Sequence, residues 1–172
     1  VAGHLRAEKD SLRTAYAARL APPGSRLRVV HLGNAHDRQW EKDTLAEARS
    51  NPRFIWRGGV PGWQVRRQFA RSHVMVISSV MEGGANIVSE AIVCGVPVIA
   101  SHIDGNVGML GDDYPGYYPA EDEEALARLL RRAETDAAFL KDLEKRCRKL
   151  APHYTPAREK RAWRNLLKDL GD

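Results

Sequence analysis

A glycine pair in front of a predicted helix is the first feature of this sequence that could bind a ligand. An apolar strand leads into Glu82-Gly83-Gly84, and the helix is predicted to begin near Ala85 or Asn86. The amides at a helix N-terminus attract phosphate through their N–H groups and the helix dipole. Glycines let the backbone approach such a ligand because they carry no Cβ. The segment predicts an anion-binding loop, although turns use glycine pairs so often that the pair alone is weak evidence.

Glu90 lies one turn into this predicted helix. At about 100° per residue it falls on the face that also carries Asn86, Ile87, Val93 and Cys94. An unpaired carboxylate is expensive to bury on such a face, so Glu90 is expected to have a hydrogen-bonding partner. Two neighbouring hydroxyls of a ribose would serve, and an arginine from the next helix is the structural alternative.

Glu82 precedes the glycines on the loop. From there its carboxylate could accept hydrogen bonds from sugar hydroxyls, or stabilise positive charge that develops at an anomeric carbon. The alternative is a solvated acid on a surface loop. The spacing alone leaves both interpretations of Glu82 open.

The elements that must position these residues are predicted from short apolar runs that alternate with stretches of helical period. Strands are predicted over about residues 27–32, 53–57, 74–77 and 96–100. Helices are predicted over about residues 11–20 (capped by Asp10 or Ser11), 37–49, 61–72, 86–94, 121–133, 136–150 and 156–170. In doubly wound sheets ligands bind at the carboxyl ends of the strands, where Glu82 lies. The prediction is one doubly wound, Rossmann-like α/β domain over residues 1–151 and a C-terminal helix within residues 152–172.

Composition limits the classes of function. The 172 residues are 43% hydrophobic and 28% charged, as in a globular domain, and the net charge of +5 is scattered along the chain. Cys94 and Cys147 lie far apart with no CxxC pair, which indicates neither a metal site nor a disulfide scaffold and favours a reducing, cytoplasmic compartment. No apolar run approaches the roughly 20 residues that span a bilayer. The start, VAGHLRAEKD, has neither a Met nor a signal peptide, which favours a segment of a longer chain.

The combined motifs resemble the GT-B glycosyltransferases of the large retaining E-x7-E family, which includes the sucrose-phosphate and glycogen synthases. EGGANIVSE carries the two glutamates and EAIVCGVPVIAS follows, while GHLRAEKD supplies a G-x5-K motif near the start. VVHLGNAHD resembles the family's second strand with its glycine turn, and NPRFIWRGGV resembles its base-binding strand and loop. The resemblance extends from residue 1 to about 135 and implies the C-terminal, donor-binding half of a GT-B fold.

The resemblance also implies a role for each matching residue. Lys9 would contact the donor diphosphate, Glu90 would hold the ribose, and Glu82 would face the donor sugar. The loop and helix start beneath the sugar and phosphate correspond to Gly83, Gly84, Ala85 and Asn86. The segment whose backbone holds the base corresponds to residues 57–60, of which Arg57, Gly58 and Val60 are predicted contacts.

The reaction that the resemblance implies moves a sugar from a nucleotide diphosphate donor to an acceptor held by an N-terminal domain. On the family's example the donor is a UDP-sugar, and Glu82 and Lys9 are the catalytic residues. Since no D-x-D motif is present, neither a metal nor another cofactor is expected.

The sequence departs from the family pattern at three places. His4 stands where members carry Arg; Arg6 would point the same way on a strand and could supply the second phosphate-binding cation. Ala85 replaces the loop's usual second glycine. GNVGMLGDDYPGYYP lacks the family's GG-x-x-E pattern and instead resembles the selenosugar synthases of selenoneine biosynthesis, which are similar to transferases that join a UDP-sugar to selenophosphate.

Other classes of function fit less well. A dinucleotide-dependent dehydrogenase needs G-x-G-x-x-G after the first strand, which GHLRAEKD does not supply. A sugar-nucleotide epimerase of GT-B shape would have a similar nucleotide site. A nucleic-acid-binding domain would use the basic residues of two helices, but no nucleic-acid motif is present, so no nucleic-acid partner is expected. Those basic residues are Arg66, Arg67, Arg71, Arg158, Lys160, Arg161, Arg164 and Lys168.

Two apolar sets are predicted to pack. Trp63 and Phe69 are spaced like packing residues on one helix. A second set forms a stripe on the tail helix, which would pack either on its own domain or on the N-terminal half: Trp163, Leu166, Leu167 and Leu170. The six histidines show no metal-ligand spacing.

Overall fold

The computed structural model describes residues 1–169, in which strands and helices alternate as an α/β fold requires. The strands are β1 (Val29–His31), β2 (Phe54–Trp56), β3 (Met75–Ile77), β4 (Val98–Ser101) and β5 (Tyr117–Tyr118). The α-helices are α1 (Arg13–Arg19), α2 (Arg38–Ser50), α3 (Gly62–Phe69), α4 (Asn86–Val93), α5 (Asp104–Leu110), α6 (Glu123–Thr135), α7 (Ala137–Leu150) and α8 (Pro156–Asp169). Single 3-10 turns occupy Ala7–Lys9 and Ala151–Tyr154.

All the strand pairings are parallel. β1 pairs with β2, with Val29 opposite Phe54, and a second sheet has the order β3-β4-β5, with Met75 opposite Val98. The N-terminal segment lies beside the end of β1 through single bridges, of which one joins Ala2 to Leu32. Its far end reaches β3, because the amide of Val80 donates to the carbonyl of Glu8 at 3.0 Å. Residues 1–9 therefore connect the two sheets, and the prediction of a parallel α/β fold with a helical tail is confirmed.

The hydrophobic core is divided in the same way as the sheet. The larger cluster surrounds β3, β4 and β5, where every residue of Met75–Ile77 and Val98–Ser101 is buried. Such continuous burial is expected of parallel strands that helices cover on both faces. The smaller cluster packs α1 against β1 and β2, and Val1 contacts both clusters. The N-terminal segment is thus held between two packed units, with its ligand-binding candidates at their shared edge.

Two elements were not predicted. The sequence predicts no helix over residues 104–110, where α5 lies; Gly105 and Gly108 lower the helix propensity of this segment. Packing overrides that preference, since Asn106 and Leu110 of α5 are buried and Gly105 lies against the loop after β3. Strand β5 has only two residues, too few for a period-two pattern to be recognised.

Some local predictions are wrong. Neither Asp10 nor Ser11 caps α1, because the residue before that helix is Leu12 and it makes no side-chain cap. The carboxylate of Asp10 instead accepts a hydrogen bond from Arg13 at 2.7 Å. Trp63 is 55% exposed, whereas Phe69 on the same helix is buried, so only one of the two packs in the core.

The tail helix α8 presents its side chains to solvent. Trp163, Leu166 and Leu167 are all exposed, which contradicts packing of this stripe on its own domain. Leu170, predicted as part of the stripe, lies outside the described residues. Within residues 1–169 no helix is both long enough and apolar enough to cross a membrane.

Candidate functional site

A cleft of about 750 Å³ opens where the N-terminal segment, the loops after β1, β2 and β3, and the start of α4 meet. This is the carboxyl-end edge at which doubly wound sheets bind ligands. Most of the predicted site residues, from segments far apart in the sequence, line this one cleft: His4, Arg6, Lys9, Val60, Glu82, Gly84, Ala85, Asn86 and Glu90.

Three predicted contacts lie outside the lining of the cleft. Arg57 extends β2, its amide donating to the carbonyl of His31 at 3.0 Å. Gly58 turns the chain with a φ of 64°, and its carbonyl accepts from the amide of Gly33 at 2.8 Å. Gly83 is exposed on the loop between Glu82 and the cleft-lining Gly84. The segment predicted to hold the base thus reaches the cleft at Gly59 and Val60, and its first two residues lie behind the cleft.

Lys9 and Glu82 form an ion pair in the cleft. Their side chains are 24% and 13% exposed, so the pair is largely shielded from solvent. The Glu82 oxygen that meets Lys9, Oε1, also accepts a hydrogen bond from Oγ of Ser79 at 2.8 Å. The Glu82 loop therefore places a carboxylate against the cation that would otherwise be available to an anionic ligand.

The N-terminus of α4 faces the same cleft. The residue before the helix, Ala85, provides no side-chain cap, and both Asn86 and Ile87 line the cleft. The first amides of a helix have no intrahelical partners and carry the positive end of the helix dipole. This end of α4 can bind an anion without a charged side chain.

Glu90 lines the cleft one turn further along α4, but it is exposed. The expectation that this carboxylate is buried among apolar residues is therefore wrong: Val93, on the same predicted face, is 56% exposed as well. No Arg or Lys among residues 1–169 lies within 4.0 Å of Glu90, so the alternative of a structural ion pair is not formed in the described part of the chain. The carboxylate is open to the cleft.

His4 and Arg6 both line the cleft, as expected for alternate residues of an extended segment. The guanidinium of Arg6 pairs with Glu8 at 3.1 Å. Its Nε is buried, with no hydrogen-bond partner in residues 1–169. The salt bridge to Glu8 thus uses only one of the three guanidinium nitrogens of Arg6, and His4 is exposed on the cleft wall.

Sequence reasoning placed Gly59 in the segment predicted to hold the base, but it did not identify Asn34 or the hydrogen bond by which Asn34 and Gly59 join two loops at the cleft. Oδ1 of Asn34 accepts a hydrogen bond from the amide of Gly59 at 2.8 Å. A Cβ at position 59 would lie 2.3 Å from that same oxygen, so any larger residue there would displace the Asn34 side chain. Gly33-Asn34 after β1 and Gly58-Gly59 after β2 are both turn signals. No local pattern predicts that these two turns contact each other through residues 25 positions apart.

His31 supports the cleft from behind. It is buried at the end of β1, and its Nε2 lies 3.0 Å from the carbonyl oxygen of Gly3. Burial lowers the pKa of His31 to about 4. The imidazole is therefore neutral near pH 7 and donates Nε2–H to the carbonyl of Gly3. That carbonyl oxygen also occupies the space that a Cβ of Gly33 would need.

Within residues 1–169 no three side chains of His, Cys, Asp or Glu are grouped as metal ligands.

A parallel α/β fold with a cleft at the carboxyl ends of its strands is the general form of the doubly wound α/β proteins. A family model described as glycosyl transferases group 1 matches residues 1–152, and the chain belongs to that family. No curated protein matches it in sequence.

Solved structures share the fold at low identity. The structure of Alr3699/HepE from Anabaena in complex with UDP and glucose is 16% identical, with a TM-score of 0.81 over 98% of this chain and 48% of that one. A glycosyltransferase from Rickettsia africae is 14% identical, with a TM-score of 0.84 over 97% of this chain and 46% of that one. The chain spans less than half the length of these proteins.

Proposed function

We propose that this chain is the donor-binding half of a glycosyltransferase that moves a sugar from a nucleotide diphosphate, specifically a UDP-sugar. The observation that carries the proposal is the convergence of Lys9, the N-terminus of α4, Glu82 and Glu90 on one cleft of about 750 Å³. A nucleotide sugar offers a matching series of groups: a diphosphate, sugar hydroxyls and ribose hydroxyls. Family membership supports transfer of a sugar, and the HepE complexes with UDP and UDP-glucose support uridine as the base.

In the proposed reaction the bond between the anomeric carbon and the diphosphate breaks, and negative charge grows on the departing diphosphate. Groups that bind this charge more tightly in the transition state than in the ground state accelerate the step. Lys9 and the amides at Asn86 are placed for this role, with Arg6 or His4 as the second cation. These groups take the place of a metal ion in the proposal.

The two glutamates take different parts of the donor. Glu90 accepts hydrogen bonds from the two ribose hydroxyls, for which its exposed carboxylate is open. Glu82 faces the donor sugar and stabilises the positive charge that develops at its anomeric carbon. The backbone at Gly59 and Val60 holds the base.

Further assignments belong to the proposal at a finer level. We assign the chain to the retaining E-x7-E group, with residues 1–151 as the donor domain and the C-terminal helix docked on an N-terminal, acceptor-binding domain of the same cytoplasmic protein. On the resemblance of GNVGMLGDDYPGYYP to the selenosugar synthases, we further propose selenophosphate as the acceptor. Product analysis of the two-domain protein with a UDP-sugar separates transfer from epimerisation, since an epimerase would convert the sugar without an acceptor.

The proposed donor site is tested by calorimetric titration of this chain with UDP, GDP, ADP and NAD, in EDTA and again with Mg²⁺. We expect selective binding of UDP in both buffers. Glu90→Ala should weaken it about tenfold through loss of hydrogen bonds to a charged acceptor. Glu41→Ala, at an exposed glutamate of α2, is the matched control and should change nothing.

Three results would count against the proposal. Preference for NAD would favour a dinucleotide enzyme, and binding that requires Mg²⁺ would contradict the metal-independent site. Equal UDP affinity of the Glu90→Ala variant and the wild type would remove Glu90 from the ribose site.

A further inference from the structure

Two adjacent serines at the end of β3 contact the two sides of the Lys9–Glu82 pair. The hydroxyl of Ser78 lies 3.0 Å from the carbonyl oxygen of Lys9 and 2.9 Å from that of Asp10. The hydroxyl of Ser79 donates to Oε1 of Glu82 at 2.8 Å. Both serines are buried, at 2% and 1% exposed. We propose that Ser78 and Ser79 are positioning residues that fix the places of Lys9 and Glu82 in the donor cleft, an inference that rests on the proposed function.

Ser79 is itself held by buried polar groups of the next strand and helix. Its carbonyl accepts a hydrogen bond from Oγ of Ser101, on β4, at 2.5 Å. Nδ2 of Asn106, on α5, donates to the carbonyl and to Oγ of Ser101 at 2.9 and 3.1 Å. Ser101 and Asn106 are both fully buried. Oδ1 of Asn106 has no hydrogen-bond partner among residues 1–169, but the hydrogen bonds that its Nδ2 and the Ser101 hydroxyl donate connect buried groups of β3, β4 and α5. These bonds restrain the backbone that carries Ser79, from which its hydroxyl holds the carboxylate.

Helix α5 also fixes the backbone of the Glu82 loop. A Cβ at Gly105 would lie 2.0 Å from the carbonyl oxygen of Glu82 and 3.2 Å from its Cβ. The backbone of α5 at position 105 therefore lies so close to the Glu82 loop that a residue with a Cβ would clash with it. Glu82 is held at its backbone by α5 and at its side chain by Ser79.

This arrangement has a consequence for the loaded cleft. When a diphosphate binds Lys9, Glu82 loses its cationic partner but keeps the hydrogen bond from Ser79. The carboxylate then stays beside the sugar instead of turning toward solvent. Ser78 holds only the backbone of Lys9, so the ammonium remains free to move from Glu82 to the phosphate.

The test compares UDP with UDP-sugars on this chain by calorimetry, using UDP-glucose, UDP-galactose and UDP-N-acetylglucosamine and following the tightest. We expect Ser79→Ala to weaken that UDP-sugar about tenfold, as for a lost hydrogen bond to a charged group, with UDP itself changed less than about twofold. Ser78→Ala should weaken both ligands alike, because both contain the diphosphate. Ser72→Ala is the matched control, since its hydroxyl also donates to a carbonyl, that of Gln68 at 2.8 Å, but outside the cleft.

A double-mutant cycle separates positioning from general structure. If Ser79 acts through the carboxylate, Ser79→Ala should have little further effect in a Glu82→Ala background, in which the hydroxyl has no acceptor at position 82. An equal effect in both backgrounds, or equal weakening of UDP and the UDP-sugar, would overturn the role of Ser79. Should Ser79→Ala fail to fold, Ser79→Cys keeps the packing with a much weaker donor and should give the same selective loss, with Ser79→Thr restoring affinity. If the wild type binds neither UDP nor any UDP-sugar, the proposed function fails and this inference fails with it.

Discussion

Lys9 and Glu82 neutralise one another in the cleft, although they are 73 residues apart in the sequence. Glu82 could be predicted as a candidate from its place before the glycine pair, and Lys9 from the resemblance of GHLRAEKD to a family motif. Their direct contact could not be predicted, since it depends on how residues 1–9 fit between the two sheets. The same limit explains Glu90, whose cleft position follows from its helical spacing but whose exposure does not.

The ion pair makes a prediction about nucleotide affinity. Because the carboxylate of Glu82 competes with a diphosphate for Lys9, we expect Glu82→Gln to tighten UDP binding and Lys9→Ala to weaken it, each by on the order of tenfold. Calorimetry with UDP measures both. Lys42→Ala, at an exposed lysine of α2, is the control for net charge. Weaker binding of UDP by Glu82→Gln would show that the carboxylate contacts the nucleotide favourably.

His31 makes the stability of the fold depend on pH. Its pKa is about 4 in the folded chain against an ordinary value of 6.5, so the unfolded chain binds the additional proton between those values. The free energy of unfolding should therefore fall as the pH drops from about 6.5 to about 4, by up to about 3 kcal/mol from this residue. Urea unfolding at pH 7 and pH 5 measures the change.

The variant His31→Gln isolates that contribution from the other titrating groups. Its amide can still donate to the carbonyl of Gly3 but does not titrate. We expect a smaller loss of stability between pH 7 and pH 5 in the variant than in the wild type. The same loss in both would mean that His31 is not the group responsible.

At the scale of elements, most segments were predictable, and the two that were not are the glycine-containing helix α5 and the two-residue strand β5. Helices α2, α6 and α7 have 13 or 14 residues each, long enough for their apolar periodicity to show, and their predicted bounds lie within about two residues of the observed ones. Helix α5 has seven residues and two glycines, and it is helical because its buried side packs under the Glu82 loop. Tertiary contacts decided this element, and no local pattern carries them.

The two glycines of α5 should respond in opposite ways to alanine. At Gly105 a Cβ would meet the carbonyl oxygen of Glu82 at 2.0 Å, so Gly105→Ala should destabilise the fold by about 1–3 kcal/mol and weaken UDP-sugar binding. At Gly108 a Cβ would have no neighbour within 4 Å among the described residues, so Gly108→Ala should stabilise by about 0.5–1 kcal/mol. Denaturant unfolding compares the two. Similar stability of both variants would show that the loop yields to α5 at little cost.

At the scale of the whole molecule, the cleft and the tail helix α8 differ in how much of their surface packs against other described residues. The cleft walls are supported by buried groups such as Ser101 and Asn106. The side chains of residues 157–168 are all exposed, including the stripe formed by Trp163, Leu166 and Leu167. Because its described side chains are exposed, the tail buries little surface on residues 1–155 and contributes little to their stability, which fits the proposed docking on another domain.

Removing the tail tests this division. We expect the chain that ends at Thr155 to unfold within about 2 °C of the wild type and to bind UDP equally well, because the deleted side chains bury little surface on the domain. Tyr154→Phe is the comparison that shows the assay responds: the Tyr154 hydroxyl donates to the carbonyl of Met109 at 2.6 Å, and its loss should cost about 1 kcal/mol. A drop of many degrees on truncation would show that α8 packs on its own domain in solution, and the proposed docking would then lose its support.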